Sequence, residues 1–554
     1  MPKTKTGRAA SGRPNFRSRE PHTALGLVFE ANALAERGDR TRARELYRQA
    51  IAINPRLAAA WLGLGLDSNE TGDFAEGSRC LMRAVAEADA ALRKFPSDVL
   101  SHVARSAAES YLFRPAEAVG SARHALRLAP EATLHGQMLF LMNFVAGNTP
   151  EAQFAEALRW NDLYAAPLAR QARPHANRPD PGRRLRIGYV SPDLHAHPIM
   201  RFLPPILEFH DRSQFAATVY SVGRKTDQST AEIRGLVDHF LPWTESGAAL
   251  AERVREDEID ILVDLAGHTM SPEYFLVFAR KPAPVQASWL GVLSTTGLQT
   301  MDYYVGNADL PCPGTEPCFS ETVYRLPRAP YCYRAPMDAP IAPSPVLDRG
   351  YITFGSFNNP AKIGRGVVKL WSEVLRNVPG SRLLLKFKAM DTDALRGRFQ
   401  SWFSQDGIAS ERLRFAGPSP VDEYLASYGE IDIALDPFPY QGGSTTLDTL
   451  WMGVPMVAMS GRLAVQRSST CILKSVGLPD SVVDSPEQYV KAAVFLAGIV
   501  GRIPQLRANV RKAFQASPFM DERGFTRELE AAYRDMWRTW CAKQRMVSQA
   551  PALE

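Results

Sequence analysis

The chain has 554 residues, 45% of them hydrophobic and 22% charged, a composition that supplies a large core and excludes a mostly disordered or fibrous protein; at about 150 residues per domain it predicts three or four units. Its net charge of +6 is uneven, because Lys3, Lys5, Arg8, Arg13, Arg17 and Arg19 stand against Glu20 alone. Residues 1–20 therefore read as a basic, disordered tail on a near-neutral body, which argues against a nucleic-acid-binding protein.

The six cysteines form no C-x-x-C pair and have no histidine at metal spacing, which predicts free thiols in a reducing compartment. The longest apolar runs, near 138–147 and 492–501, are about half of a bilayer crossing. The chain is expected to be cytoplasmic, with no membrane span.

Residues 21–169 repeat. Leu27, Glu30, Ala31, Gly38, Ala43, Tyr47 and Ala50 return 34 residues later as Trp61, Leu64, Gly65, Gly72, Gly77, Leu81 and Ala84, the period and small-residue pattern of the tetratricopeptide repeat. A weaker copy holds Ala118, Ala122, Ala125 and Pro130, and a faint one lies near Gly147 and Ala152. Such repeats stack into a solenoid whose concave face takes extended polypeptide, or they merely extend the next domain.

A Pro- and Arg-rich linker at 170–184 precedes a change of pattern. Short β-branched runs at 185–191, 216–222, 259–266, 285–291 and 303–305 alternate with helical stretches through about 345. A second set at 351–357, 383–387, 413–416, 431–435 and 454–459 continues to about 515. Continuous apolar runs of this kind are buried parallel strands, so the fold class is α/β, two doubly wound domains behind an all-α repeat region. Ligands of such sheets lie at the carboxyl ends of the strands. In 516–554, Phe525, Leu529, Tyr533, Trp537 and Trp540 form a helical stripe that is expected to pack across the domains.

Three strand exits carry candidate chemistry. After the run at 431–435 comes Gly442-Gly443-Ser444-Thr445-Thr446 with Asp448: a glycine pair opening a helix, with hydroxyls and free amides suited to a phosphate, and a carboxylate on the same face for ribose. Capping alone would also explain the hydroxyls. Phe357-Asn358-Asn359-Pro360-Ala361-Lys362 puts a lysine beyond a strand end, where it can neutralise a leaving diphosphate. His197, in the loop leaving the first strand, and His268, after the run at 259–266, suit proton transfer or hydrogen bonding to an acceptor. Asp391-Thr392-Asp393 is a chance-level Asp-x-Asp that reads as a helix start. No G-x-G-x-x-G or G-x-x-x-x-G-K-[ST] fingerprint occurs, which removes support from dinucleotide redox and NTPase readings.

Together, the loop ending in His197-Pro198, the run from Arg280 to Gly291, Met301-Asp302-Tyr303, the Asn-x-x-x-Lys placing Lys362 and the Thr-Thr-x-Asp-x-Leu-Trp run ending in Trp451 resemble the tetratricopeptide-bearing protein O-GlcNAc transferases and their SPINDLY-like relatives. The resemblance runs from about Arg184 to Trp540. It implies two Rossmann-like domains of GT-B type, a nucleotide-sugar donor, a polypeptide acceptor bound along the repeats, inversion at the anomeric carbon, and no metal or other cofactor. It implies that Lys362 holds the diphosphate, that Asn359, Gly442, Gly443, Ser444, Thr445 and Thr446 line the donor site, and that Asp448 holds the ribose. His197 is implied to contact the reacting region, with His268 and Thr295 on the acceptor side or an active-site loop.

Two departures stand out. Gly443 occupies the place of a histidine in the animal enzymes, and Gly291-Val292-Leu293-Ser294-Thr295 replaces a Gly-Tyr-Pro-Gly-Thr loop. The expected activity is transfer of a sugar, with GlcNAc from UDP-GlcNAc leading, to Ser/Thr hydroxyls. Its alternatives are another donor (GDP-fucose or UDP-glucose), a non-protein acceptor, or an inactive interaction scaffold.

Overall fold

A computed structural model describes residues 23–503 and 505–549; the basic tail read at 1–20 lies outside the described residues. The chain divides into two compact units, one ending at Leu112 and the other beginning at Phe113.

The described part of the first unit is five helices, α1 (Ala24–Glu36), α2 (Arg40–Ile53), α3 (Ala58–Glu70), α4 (Phe74–Leu92) and α5 (Val99–Tyr111). The 34-residue period sets its turns. Gly38 and Gly72 both adopt left-handed φ, +88° and +86°, which only glycine takes without steric cost. Asp39 and Asp73 then cap α2 and α4 by accepting the amides of Arg42 and Glu76, each cap contributing about 1 kcal/mol. Small residues let the helices close: Ala31, Ala43, Ala50 and Ala60 have no exposed surface, and a Cβ on Gly63 would fall 2.2 Å from the Tyr47 ring.

The second unit begins with α6 (Pro115–Leu128), α7 (Ala132–Met142) and α8 (Pro150–Trp160). Two parallel sheets follow. The first has the order β3-β2-β1-β4-β5-β6-β7, from β1 (Leu185–Ser191), β2 (Phe215–Ser221), β3 (His239–Pro242), β4 (Ile261–Asp264), β5 (Val285–Ser288), β6 (Tyr303–Asn307) and β7 (Thr322–Leu326). The second has the order β10-β9-β8-β11-β12-β13, from β8 (Thr353–Ser356), β9 (Arg382–Lys386), β10 (Leu413–Ala416), β11 (Ile433–Leu435), β12 (Met456–Met459) and β13 (Val482–Val483). Both orders reverse beside their first strand, between β1 and β4 and between β8 and β11, the place where open α/β sheets bind ligands. Every pairing is parallel, β1 with β2 and β8 with β9 among them. Their buried Ile, Leu and Val runs are the two-sided burial that such sheets require. We refer to the two sheets with their helices as the first and second lobes.

The segment 170–184 is neither helix nor strand, yet it is pinned. Asn177 donates to the Glu258 and Ile259 carbonyls and to Asp260 Oδ1, and Trp537 Nε1 donates to the Asp180 carbonyl at 2.8 Å. The last helix, Glu522–Gln549, buries Phe525, Leu529, Tyr533 and Trp537, each worth about 1.5–3 kcal/mol in apolar burial. Having left the second lobe, the chain returns this helix to the first, where Phe525 stacks on Trp289 and Glu530 accepts from the Asp211 amide and His210 Nδ1. Among the described residues, no helix is long and apolar enough to cross a membrane.

Candidate active site

The two sheet reversals meet in a cleft with two adjoining chambers, about 740 Å³ and about 360 Å³, that share His197, Pro198 and Ser444 as lining. The larger is walled by Arg201, Phe357, Lys386, Tyr424, Thr445 and Asp448. The smaller is walled by Asp193, Lys362, Tyr440, Gly443 and Ser468, and by Phe140 of α7.

The helix Ser444–Trp451 starts at Gly443 with no side-chain cap. Its first amides and its dipole therefore face the junction of the chambers, a ready anion site. The glycine pair splits into two roles. A Cβ on Gly442 would lie 2.4 Å from Thr446 Oγ1 and 2.9 Å from Asp436 Oδ1, and the Gly442 amide donates to that same Asp436 oxygen at 2.9 Å. Gly442 is thus required by packing. Gly443 is not, since a Cβ there would meet only Ser468 Oγ, at 3.5 Å; it leaves space open beside the smaller chamber.

Lys362 closes a short turn, Pro360–Lys362, just past β8. Its Nζ donates to the Gln441 carbonyl at 2.8 Å and lies 4.3 Å from the centre of the Tyr440 ring. Burial pulls the ammonium below the usual lysine range, and the nearby Asp436 carboxylate opposes that shift. Burial in turn raises Asp436, against its hydrogen bonds and the Lys362 charge. Asp436 Oδ2 has no hydrogen-bond partner.

Asp448 is buried at the floor of the larger chamber. Tyr333 donates to its Oδ1 at 2.5 Å and Tyr424 to its Oδ2 at 3.1 Å, while Arg201 Nη2 stands 3.9 Å from Oδ2. Burial pushes its carboxyl up, and Arg201 and the two tyrosines hold it down. A carboxylate offers about four lone-pair sites, so two remain for a ligand hydroxyl.

His197 begins the short turn Pro198–Arg201, its Nδ1 accepting the Ile199 amide at 3.4 Å. Burial lowers its pKa, Asp193 raises it, and His195 lowers it further. With Nδ1 used as an acceptor, the neutral ring carries its proton on Nε2, which makes His197 a hydrogen-bond donor to what it meets in the cleft.

The structure thus gathers His197, Lys362, Gly443, Ser444, Thr445 and Asp448 around one cleft. It places other expected residues elsewhere. Asn359 accepts the Ala361 amide and caps its own turn; its neighbour Asn358 accepts from Thr445 Oγ1 at 3.0 Å. Thr446 points behind the helix to Ser469, 2.7 Å away. His268 is enclosed by Trp160 and Phe275 and bonds the Thr296 carbonyl at 2.8 Å, and burial pushes its pKa down to about 4. Thr295 donates to the buried Glu321 at 2.7 Å rather than facing the chambers. Thr392 caps the helix Asp393–Gln405, consistent with a helix start. Arg201, Tyr333 and Tyr424 were not singled out by sequence and are brought in by tertiary packing from otherwise unmarked stretches, while Asp436 and Asn358 lie in marked stretches where the sequence assigned them no contact.

Comparison with known proteins gives these features a family. The profile described as "Glycosyl transferase family 41" matches residues 165–329 and 346–529. A Petunia hybrida protein named "Probable UDP-N-acetylglucosamine--peptide N-acetylglucosaminyltransferase SPINDLY" is 35% identical over 427 residues, covering 75% of this chain and 45% of that protein. A Caenorhabditis elegans "UDP-N-acetylglucosamine--peptide N-acetylglucosaminyltransferase" is 23% identical over 533 residues, covering 74% of this chain and 46% of that protein. The chain spans about half the length of these curated relatives. A solved Thermobaculum terrenum O-GlcNAc transferase, a lysine-to-methionine mutant, superposes with a TM-score of 0.86 at 34% identity, covering 95% of this chain and 99% of the other. The two reversed sheets and the cleft at their switch points are therefore a GT-B architecture, and the chain belongs to glycosyl transferase family 41.

Proposed function

We propose that this chain transfers a sugar from a nucleotide donor, with UDP-GlcNAc the leading candidate, to Ser/Thr hydroxyls of polypeptides with inversion and without a resident cofactor. The observation that carries the reading is the convergence, at the switch point of the second sheet, of the uncapped Ser444 helix start and the buried Lys362 ammonium on one junction. Both place positive charge where a diphosphate leaving group develops negative charge, in a site that is partly shielded from water. The larger chamber then takes the nucleoside, with Asp448 accepting from ribose hydroxyls. The smaller takes the sugar and the acceptor hydroxyl, His197 donating from Nε2. Holding donor and acceptor together supplies much of the remaining rate.

The names of the relatives support a GlcNAc donor and a peptide acceptor, and the helical repeats are a surface on which a polypeptide acceptor can lie. Incubating the protein with UDP-GlcNAc or GDP-fucose and a Ser/Thr peptide library, with mass spectrometry of the peptides, tests the reading. A single-sugar adduct lost in Lys362→Met supports it. Peptides left unmodified by every donor, alongside nucleotide binding, would favour an interaction scaffold.

A further inference from the structure

Arg201 ends the same short turn that His197 begins, and it projects from the first lobe into the larger chamber beside Ser444, Thr445 and Asp448. Its bonding is incomplete. Nη2 stands 3.9 Å from Asp448 Oδ2, within ion-pair range but beyond a hydrogen bond, and Nη1 is buried with no hydrogen-bond partner. Of the other basic side chains lining this chamber, Arg334 pairs with Glu208 at 2.9 Å and Glu522 at 2.6 Å and Lys386 donates to the Gly417 carbonyl at 3.1 Å, while Lys388 lies beyond the far end of β9. Asp448 does not meet the unused donors in this geometry, since Nη1 bonds neither of its oxygens and Nη2 stays beyond hydrogen-bond distance. The guanidinium is only partly buried, but its enclosed Nη1 is costly to leave unpaired unless something else meets it, and its planar fork fits a phosphate with two parallel hydrogen bonds.

We infer that Arg201 is a nucleotide-recognition residue, carried by the first lobe and contacting the diphosphate of the donor bound on the second. The inference rests on the donor reading proposed above and goes further in one respect: the anion site draws on both lobes, so diphosphate binding bridges them. Arg201 grips the phosphates from the side opposite to the helix start at Ser444, on the nucleoside side of the junction, while Lys362 lies on the sugar side.

The test is ligand-observed NMR titration of the full chain and of Arg201→Met and Arg201→Lys with UDP, UMP and uridine, and in parallel GDP, GMP and guanosine. Thermal melts check that each variant is folded. The expected result is a loss of about tenfold or more in diphosphate affinity for Arg201→Met, with the nucleoside bound as before, and a smaller loss for Arg201→Lys, which keeps the charge but not the fork. Unchanged diphosphate affinity in both variants overturns the inference. So does an equal loss for nucleoside and diphosphate, which would make Arg201 a support for Asp448 alone. If Arg201→Met does not fold, the Lys variant decides: diphosphate affinity equal to wild type overturns the assignment. A wild-type chain that binds neither UDP nor GDP removes the donor reading itself, an outcome distinct from these.

Discussion

Lys362 donates from Nζ to the carbonyl of Gln441 at 2.8 Å, a bond that ties the turn after β8 to the glycine turn after β11 across 79 residues of sequence. The two strands are neighbours in the second sheet, so the bond spans the point where the sheet order reverses. A cation fixed there needs little reorganisation when a leaving group develops charge.

Replacing Lys362 by Met keeps most of its buried volume and removes that charge. Transfer is expected to fall by about 10²- to 10³-fold, the scale for one preorganised electrostatic contact, with the melting temperature little changed. Initial rates with saturating donor, alongside a thermal melt, check this; a variant within threefold of wild type contradicts the role.

The glycine pair gives a paired prediction. Gly442→Ala forces a Cβ against Thr446, Thr445 and Asp436, so it is expected to cost about 1–3 kcal/mol in stability, as overpacking does, and to abolish binding. Gly443→Ala meets only Ser468 and is expected to fold normally. Urea unfolding of both variants separates the two roles, and equal destabilisation would refute the distinction.

Tyr333→Phe removes the donor to Asp448 Oδ1 and leaves a buried carboxylate oxygen short of a partner. Such a loss costs about 1–3 kcal/mol, and the nucleotide Kd is expected to rise because Asp448 shifts from its ribose-facing position. Calorimetric titration with UDP or GDP reads the change. An unchanged Kd would show that Asp448 is held by other contacts.

The pH dependence has a definite sign. Diphosphate binding needs the protonated Lys362, whose pKa burial lowers against the opposing Asp436 charge. Affinity is therefore fully present below that lowered value and is lost as pH rises through it, at a pH under the ~10.4 of an ordinary lysine. A plot of log Kd against pH should bend there in wild type, and that bend should be lost in Lys362→Met.

Much of this was legible in the chain. The runs at 185–191 and 413–416 are β1 and β10 to the residue; β1 is buried along nearly its whole length, and β10, though half-buried, keeps apolar residues at Leu413, Phe415 and Ala416. β3, β7 and β13 gave no such run: β3 and β7 are half-exposed, and β13 has two residues. The strand-end logic located the cleft but not the direction of each side chain. His268 and Thr295 lie in the expected loops, yet one packs among Trp160 and Phe275 and the other on Glu321. The tyrosines on Asp448 come from 115 and 24 residues away, a spacing with no local signal. Asn359 and Asn358 are adjacent in sequence, and only the backbone turn decides which one reaches Thr445.

The central claim is that the junction at Ser444 and Lys362 binds a nucleoside diphosphate. Isothermal titration of the wild-type chain and of Lys362→Met with UDP and with GDP tests it most directly. The account predicts saturable binding of one of the two by wild type, weakened at least tenfold in the variant. Binding of equal strength in both proteins, or of neither nucleotide by wild type at millimolar concentration, would contradict it.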